Sequence, residues 1–190
     1  MTVSRCSWCG DDPLYVEYHD TEWGVPIHDD EDLFAKLLLD GFQAGLSWIT
    51  ILRRREGFLA AMDDLDPRKI ARYTPRRIEK LLQDERIIRN RQKVVASVRN
   101  AQAWLEVMDS GSFAELLWDH VGGAPRINRR NRSRDIPTET EQSRAMSRQL
   151  KQLGFGFCGP TICYAFMQAT GMVNDHVVSC FRHREVSGRS

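Results

Sequence analysis

The chain has 190 residues, 42% of them hydrophobic and 28% charged, with 27 Lys and Arg against 26 Asp and Glu for a formal net charge of +1. A near-neutral total excludes a uniformly basic nucleic-acid protein, and no apolar run approaches the ~18 residues of a membrane span. This length buries roughly two thirds of the unfolded surface, so residues 1–190 are expected to form one domain, with two lobes sharing a core as the variant, and no cofactor is needed merely to fold.

The first 50 residues are acidic, with ten Asp and Glu against two Lys and Arg, and they hold Trp8, Tyr15, Tyr18, Trp23 and Trp48. Asp29 to Glu31 then Leu33, Phe34, Leu37 and Leu38 predict a helix with one buried face. Residues 51–99 turn basic, with fourteen bases and seven acids, and begin with Arg53-Arg54-Arg55. Thr74-Pro75 reads as an N-cap followed by proline at the first helical position. A long helix is predicted over Ile87 to Met108, and Ser112 caps another over Phe113 to Val121, which Gly122 and Gly123 end. Arg126 to Ile136 is an arginine-rich connection without periodicity. Thr138 with Glu141 predicts a capping box before Ala145, Met146, Leu150 and Leu153. The cluster Leu153-Gly154-Phe155-Gly156-Phe157-Cys158-Gly159-Pro160 then separates two helical segments, and it reads as the turn of a helix-hairpin-helix whose free amides bind an anion, or as an ordinary helix-to-helix turn. No strand-length alternating run and no repeat is seen, so the fold class predicted is all-α.

Two constellations carry chemistry. Cys6 and His19 near the start, with His176 and Cys180 near the end, supply the four sulfur and nitrogen donors of a tetrahedral zinc site. On a helix, His176 and Cys180 would share a face. Cys6 with Cys9 has the better local spacing for zinc, and spacing alone leaves that choice open. Four protein ligands leave no position for water, which makes the metal structural. Cys158 and Cys163 read as packing residues. The five cysteines are an odd number without a leader pattern before them, which points to a reducing, cytoplasmic setting. In the second constellation, Asp40 stands within Leu37-Leu38-Leu39-Asp40-Gly41-Phe42. A carboxylate among leucines is costly to bury without a donor or a positive ligand, so with the aromatics it suggests a pocket for a planar, cationic base, the alternative being a solvent-facing position.

Cys6-Ser7-Trp8, Asp12-Pro13-Leu14-Tyr15, Tyr18-His19-Asp20, Glu22-Trp23-Gly24-Val25-Pro26, Gln43-Ala44-Gly45-Leu46-Ser47-Trp48, Thr161 to Gln168 and Val173-Asn174-Asp175-His176 occur in that order. Together they resemble the 3-methyladenine DNA glycosylase I family, a divergent helix-hairpin-helix group, over about residues 5 to 183. The resemblance implies that Cys6, His19, His176 and Cys180 bind structural Zn2+, deciding against Cys9. It implies that Trp8, Tyr15, Tyr18 and Trp48 line the base pocket, and that Gly45 and Leu46 press into the gap left by an extruded nucleotide. Where the family commonly has glutamate this chain has Asp40, with the same charge and one methylene less reach, leaving room for a bridging water.

The activity implied is hydrolytic release of 3-methyladenine from double-stranded alkylated DNA by a monomeric, nucleoid-associated bacterial enzyme. Asp40 would contact the base, Gly156 and Gly159 would contact DNA, and arginines among Arg53 to Arg55 or Arg129 to Arg134 would meet phosphates. Asp175 is the rival carboxylate. No lysine follows Lys151, so the hairpin offers no amine for strand cleavage and the enzyme is expected to be monofunctional. Two other readings fit fewer residues: a zinc-stabilised nucleic-acid-binding module without catalysis, and a glycosylase of broader range.

Overall fold

The computed structural model describes residues 3–188. Its helices in chain order are α1 (Pro13–Thr21), α2 (Asp30–Gln43), α3 (Trp48–Leu52), α4 (Arg55–Ala61), α5 (Pro67–Ile70), α6 (Pro75–Leu81), α7 (Arg91–Ser110), α8 (Phe113–Trp118), α9 (Glu141–Gln152), α10 (Pro160–Ala169) and α11 (Phe181–Glu185). Their starts follow from side-chain caps. Asp12 accepts from the amides of Leu14 at 3.1 Å and Tyr15 at 3.2 Å, with Pro13 at the first helical position, and Asp29 accepts from Glu31 and Asp32 at 2.9 Å each. Thr74 and Ser112 cap α6 and α8 as their positions in the sequence predict.

Helix α2 is central and packs against α3, α7, α8 and α10. Leu33, Phe34, Leu37 and Leu38 are all buried along it, each contributing about 1.5–3 kcal/mol over an exposed position. The acidic end of α2 is joined to α8, because Asp30 accepts from Ser112 Oγ at 2.8 Å and from the Ala114 amide at 2.7 Å. No helix among the described residues is long and apolar enough to cross a membrane.

Four expectations are corrected. Helix α7 begins at Arg91, not Ile87, because Asn90 caps it through the Lys93 amide at 3.1 Å, while Ile87 is buried in the turn before it. The capping box of α9 is Thr140 with Ser143, not Thr138 with Glu141; the two side chains bond reciprocally to each other's amides at 3.3 and 2.9 Å. The arginine-rich connection is not wholly irregular: β1 (Arg126–Ile127) pairs in parallel with β2 (Val173–Asn174). Two residues per strand are too few for an alternating pattern to show. His176 and Cys180 do not sit on a helix, since the backbone between β2 and α11 is a series of turns and Cys180 is the N-cap of α11.

Gly171 makes the turn from α10 into β2 with φ +71°, and an added Cβ would lie 2.5 Å from Pro26 N. Gly171→Ala combines left-handed strain with overpacking and should cost about 3 kcal/mol or more, a fall of roughly 6–12 °C in Tm for a chain of this size. A thermal melt at fixed pH checks it.

Candidate active site and metal centre

Cys6 precedes a short 3-10 turn, His19 lies in α1, and β2 delivers His176 and Cys180 from the far end of the chain. All four are buried, and their ligand atoms lie within 4.8 Å of one another. Cys6 Sγ is 3.6 Å from His176 Nδ1, and Cys180 Sγ is 3.5 Å from His19 Nε2 and 3.6 Å from His176 Nδ1. A tetrahedron with metal–sulfur bonds of ~2.3 Å and metal–nitrogen bonds of ~2.0–2.1 Å has S···N edges of ~3.6 Å. The donor set therefore has the dimensions to hold a metal ion.

The outer nitrogens are also fixed. His19 Nδ1 faces Asp20 Oδ1 at 2.7 Å, and Arg5 holds Asp20 in turn, while His176 Nε2 donates to the Trp23 carbonyl at 3.0 Å. Such partners orient metal-binding imidazoles and set their tautomers. The Cys180 thiol is driven down by hydrogen bonds from Cys6, His176 and His19, and Cys6 is driven up by that shared bond with Cys180 and by burial. Cys9 stays outside the cluster, donating to the Cys6 carbonyl at 3.1 Å. Cys158 and Cys163 are buried and bond to backbone carbonyls, as packing thiols do.

The cluster backs directly onto an aromatic cavity. Trp23 meets His176 edge-on at 4.5 Å between centroids, Trp8 lies 5.3 Å from His19, and the two indoles are 5.0 Å apart. On the other side, Trp8, Tyr15, Tyr18, Trp23 and Trp48 line a cavity of about 280 Å³ together with Lys36, Asp40, Gln43 and Gln168. Ser133 and Ile136, from the arginine-rich connection, close another wall. Burial pushes both the Tyr15 and Tyr18 phenols up, so each remains a neutral hydroxyl. The indole N–H groups of Trp8 and Trp48 are buried and have no partner among the described residues.

Asp40 is buried in the wall of this cavity. One oxygen, Oδ1, pairs with Lys36 a turn earlier on α2, and the other, Oδ2, has no partner among the described residues. Burial pushes the Asp40 carboxyl up and the Lys36 ammonium down, and each group opposes the other's shift through their contact. Sequence reasoning missed Lys36, although its i, i+4 spacing to the singled-out carboxylate was the available signal.

Asp175, the rival acid, is fully engaged: it accepts from Tyr164 Oη at 2.5 Å, Asn128 Nδ2 at 2.8 Å and Gln168 Nε2 at 2.9 Å. Its position makes it the clamp on Gln168 and on the 126–130 connection.

The residues singled out for DNA are dispersed. Gly45, at φ +80°, and the exposed Leu46 form the turn between α2 and α3. Lys93 secures that turn by donating to the carbonyls of Phe42 at 2.8 Å and Ala44 at 2.6 Å. Gly156 does not offer its amide, which donates to Asn100 Oδ1 at 2.7 Å. Gly159 precedes α10 without a side-chain cap, and Pro160 at the first helical position has no amide to offer. Arg53 pairs with Asp12 and Arg55 with Glu22 at 2.5 Å each, which takes them from the free phosphate-binding set, whereas Arg129, Arg132 and Arg134 make no ion pair among the described residues.

These features define a helical protein with an aromatic cavity that has polar groups in its wall, backed by a Cys/His cluster. Residues 8–183 match the family model described as methyladenine glycosylase. The chain is 47% identical to DNA-3-methyladenine glycosylase 1 of Escherichia coli over 179 residues, 94% of this chain and 96% of the relative. A crystal structure of 3-methyladenine DNA glycosylase I superposes with a TM-score of 0.92 at 48% identity, covering 94% of this chain and 98% of that one. The Staphylococcus aureus enzyme studied for 3-methyladenine recognition superposes with a TM-score of 0.90 at 36% identity, covering 93% and 95%. The chain belongs to the methyladenine glycosylase family.

Proposed function

We propose that the protein, acting as a monomeric single domain, releases 3-methyladenine from alkylated double-stranded DNA by hydrolysis and leaves an abasic site. The observation that carries this reading is the aromatic cavity lined by Asp40, whose Oδ2 has no partner among the described residues. A base stacked in a duplex is beyond the reach of such a cavity, so the nucleotide must be flipped into it. Leu46, exposed on the turn secured by Lys93, is suited to fill the vacated stack. Methylation at N3 gives the base a positive charge and lets it depart neutral, so little acid catalysis is needed. Aromatic faces favour the charged ring, Asp40 accepts from its 6-amine, and water attacks the sugar. Chromatography of bases freed from methylated DNA tests the activity, and a chain that binds DNA but frees no base would be a binding module instead.

The Cys6, His19, His176 and Cys180 cluster is read as a structural Zn2+ site, because four sulfur and nitrogen donors at tetrahedral spacing fit that ion and leave no open position. We read α9, the turn over residues 153–159 and α10 as a helix-hairpin-helix, with the uncapped start of α10 after Gly159 facing a phosphate. Arg129, Arg132 and Arg134 add cationic contacts on the connection that lines the cavity. DNA affinity is accordingly expected to fall linearly on a log–log plot against salt, by roughly 0.9 per phosphate contacted. Fluorescence anisotropy across a salt series measures the slope, and a flat response would remove the phosphate assignment.

A further inference from the structure

The cavity holds a second charged group that base release by Asp40 does not use. Lys36 lines the wall, pairs with Asp40 Oδ1, and places its ammonium 4.0 Å from the centroid of the Trp48 ring. An ammonium carries three donors. One is given to Asp40, which leaves two for the cavity. Beside them Asp40 Oδ2 is a buried acceptor without a partner among the described residues. The wall thus presents a donor next to an acceptor, with a summed charge of zero.

This pairing changes what the cavity selects. A lone carboxylate would favour a cationic ring by charge alone, but here the ammonium already neutralises it and covers one face of Trp48. Selection then falls on hydrogen-bond pattern. The matching ligand edge has an acceptor beside a donor, and adenine provides this with ring N7 and the 6-amine. Guanine presents N7 and O6 there, two acceptors, which would turn a carbonyl oxygen toward Asp40 Oδ2 and leave buried groups unpaired.

We infer that Lys36 is a specificity-determining residue in direct contact with the base: its ammonium donates to ring N7 of the flipped adenine while Asp40 accepts from the 6-amine. The inference rests on the 3-methyladenine reading, and its test separates the two. Purified full-length protein is titrated, by the fluorescence of the cavity tryptophans, with 3-methyladenine and with its 7-deaza analogue, in which carbon replaces the acceptor. Wild type should bind 3-methyladenine roughly tenfold to a hundredfold more tightly, the range of a hydrogen bond to a charged group.

Lys36→Met keeps an unbranched chain along Trp48 but no donor, and should bind both ligands equally. Lys36→Gln retains a neutral donor and should keep part of the preference. Equal binding of the two ligands by wild type overturns the inference without any variant, as does full preference retained by Lys36→Met. Base release from methylated DNA is measured in parallel on wild type: no release removes the activity itself, whereas release without N7 preference removes only the role of Lys36.

Discussion

Asp40→Asn is expected to slow 3-methyladenine release by roughly a hundredfold or more. The substitution replaces an anionic acceptor with an amide that presents a donor to the base amine, and it removes the only ion-pair partner that a largely buried ammonium has among the described residues, Lys36 being paired with Asp40. Breaking a buried pair on one side costs about 3–5 kcal/mol when the other charge is retained. Lys36 would shed its proton or turn outward, so weaker base binding should accompany the slower release. Single-turnover release from methylated DNA and base titration measure the two effects. Asp175→Asn supplies the contrast. Its carboxylate accepts from Tyr164, Asn128 and Gln168, so an amide there should lower Tm and loosen Gln168 while leaving most of the release rate. If Asp175→Asn alone abolishes release and base binding persists, catalysis belongs to Asp175.

Cys180→Ser should be the most damaging single change to the fold. Purified wild type is expected to carry one zinc per chain, and the variant none. Cys180 contacts both imidazoles and is the N-cap of α11, with the Phe181 amide bonded to the Ser4 carbonyl at 3.1 Å. Structural zinc contributes on the order of 10 kcal/mol in small sites. A larger core absorbs part of that loss, and a fall in Tm of more than about 10 °C is expected. Because Trp8 and Trp23 stand between the cluster and the cavity, base binding should disappear with the metal. Metal analysis with melts before and after chelation checks this, and a fully active metal-free protein would dismiss the structural role.

Much of this architecture was legible because it follows from local chemistry. Asp29, Thr74 and Ser112 announce helix starts since a short oxygen-bearing side chain satisfies free amides wherever a helix begins. The buried face of α2 is visible in its leucine spacing. The start of α7 was less accessible, because the apolar Ile87 and Ile88 continue a helical pattern through a turn that only Asn90 closes. The parallel β1–β2 pair was invisible for a different reason: its register is set by partners 47 positions apart, Ile127 with Asn174, and by no periodicity within either strand. At the site, the aromatics and Asp40 stand out by type. Lys36, Ser133 and Ile136 do not, since a lysine on a helix is ordinarily solvated and a connection shows which cavity it lines only after folding. For the Cys/His set, spacing leaves Cys9 as a rival and the family resemblance decides the choice, while the helical pairing of His176 with Cys180 fails because the two meet across turns.

The reach of the cluster along the chain carries a consequence for biosynthesis. Cys6 and His176 are 170 positions apart, and His19 and Cys180 are 161 apart. A nascent chain leaving the ribosome exposes the indoles and phenols of its first 50 residues long before the second half of the metal cage exists. Domains fold in the order they emerge, but here the wall behind the cavity must wait until His176 and Cys180 have emerged. Chains that stop short of His176 should therefore be inert toward damaged DNA, and capture of the proposed zinc ion becomes a checkpoint that follows the emergence of Cys180.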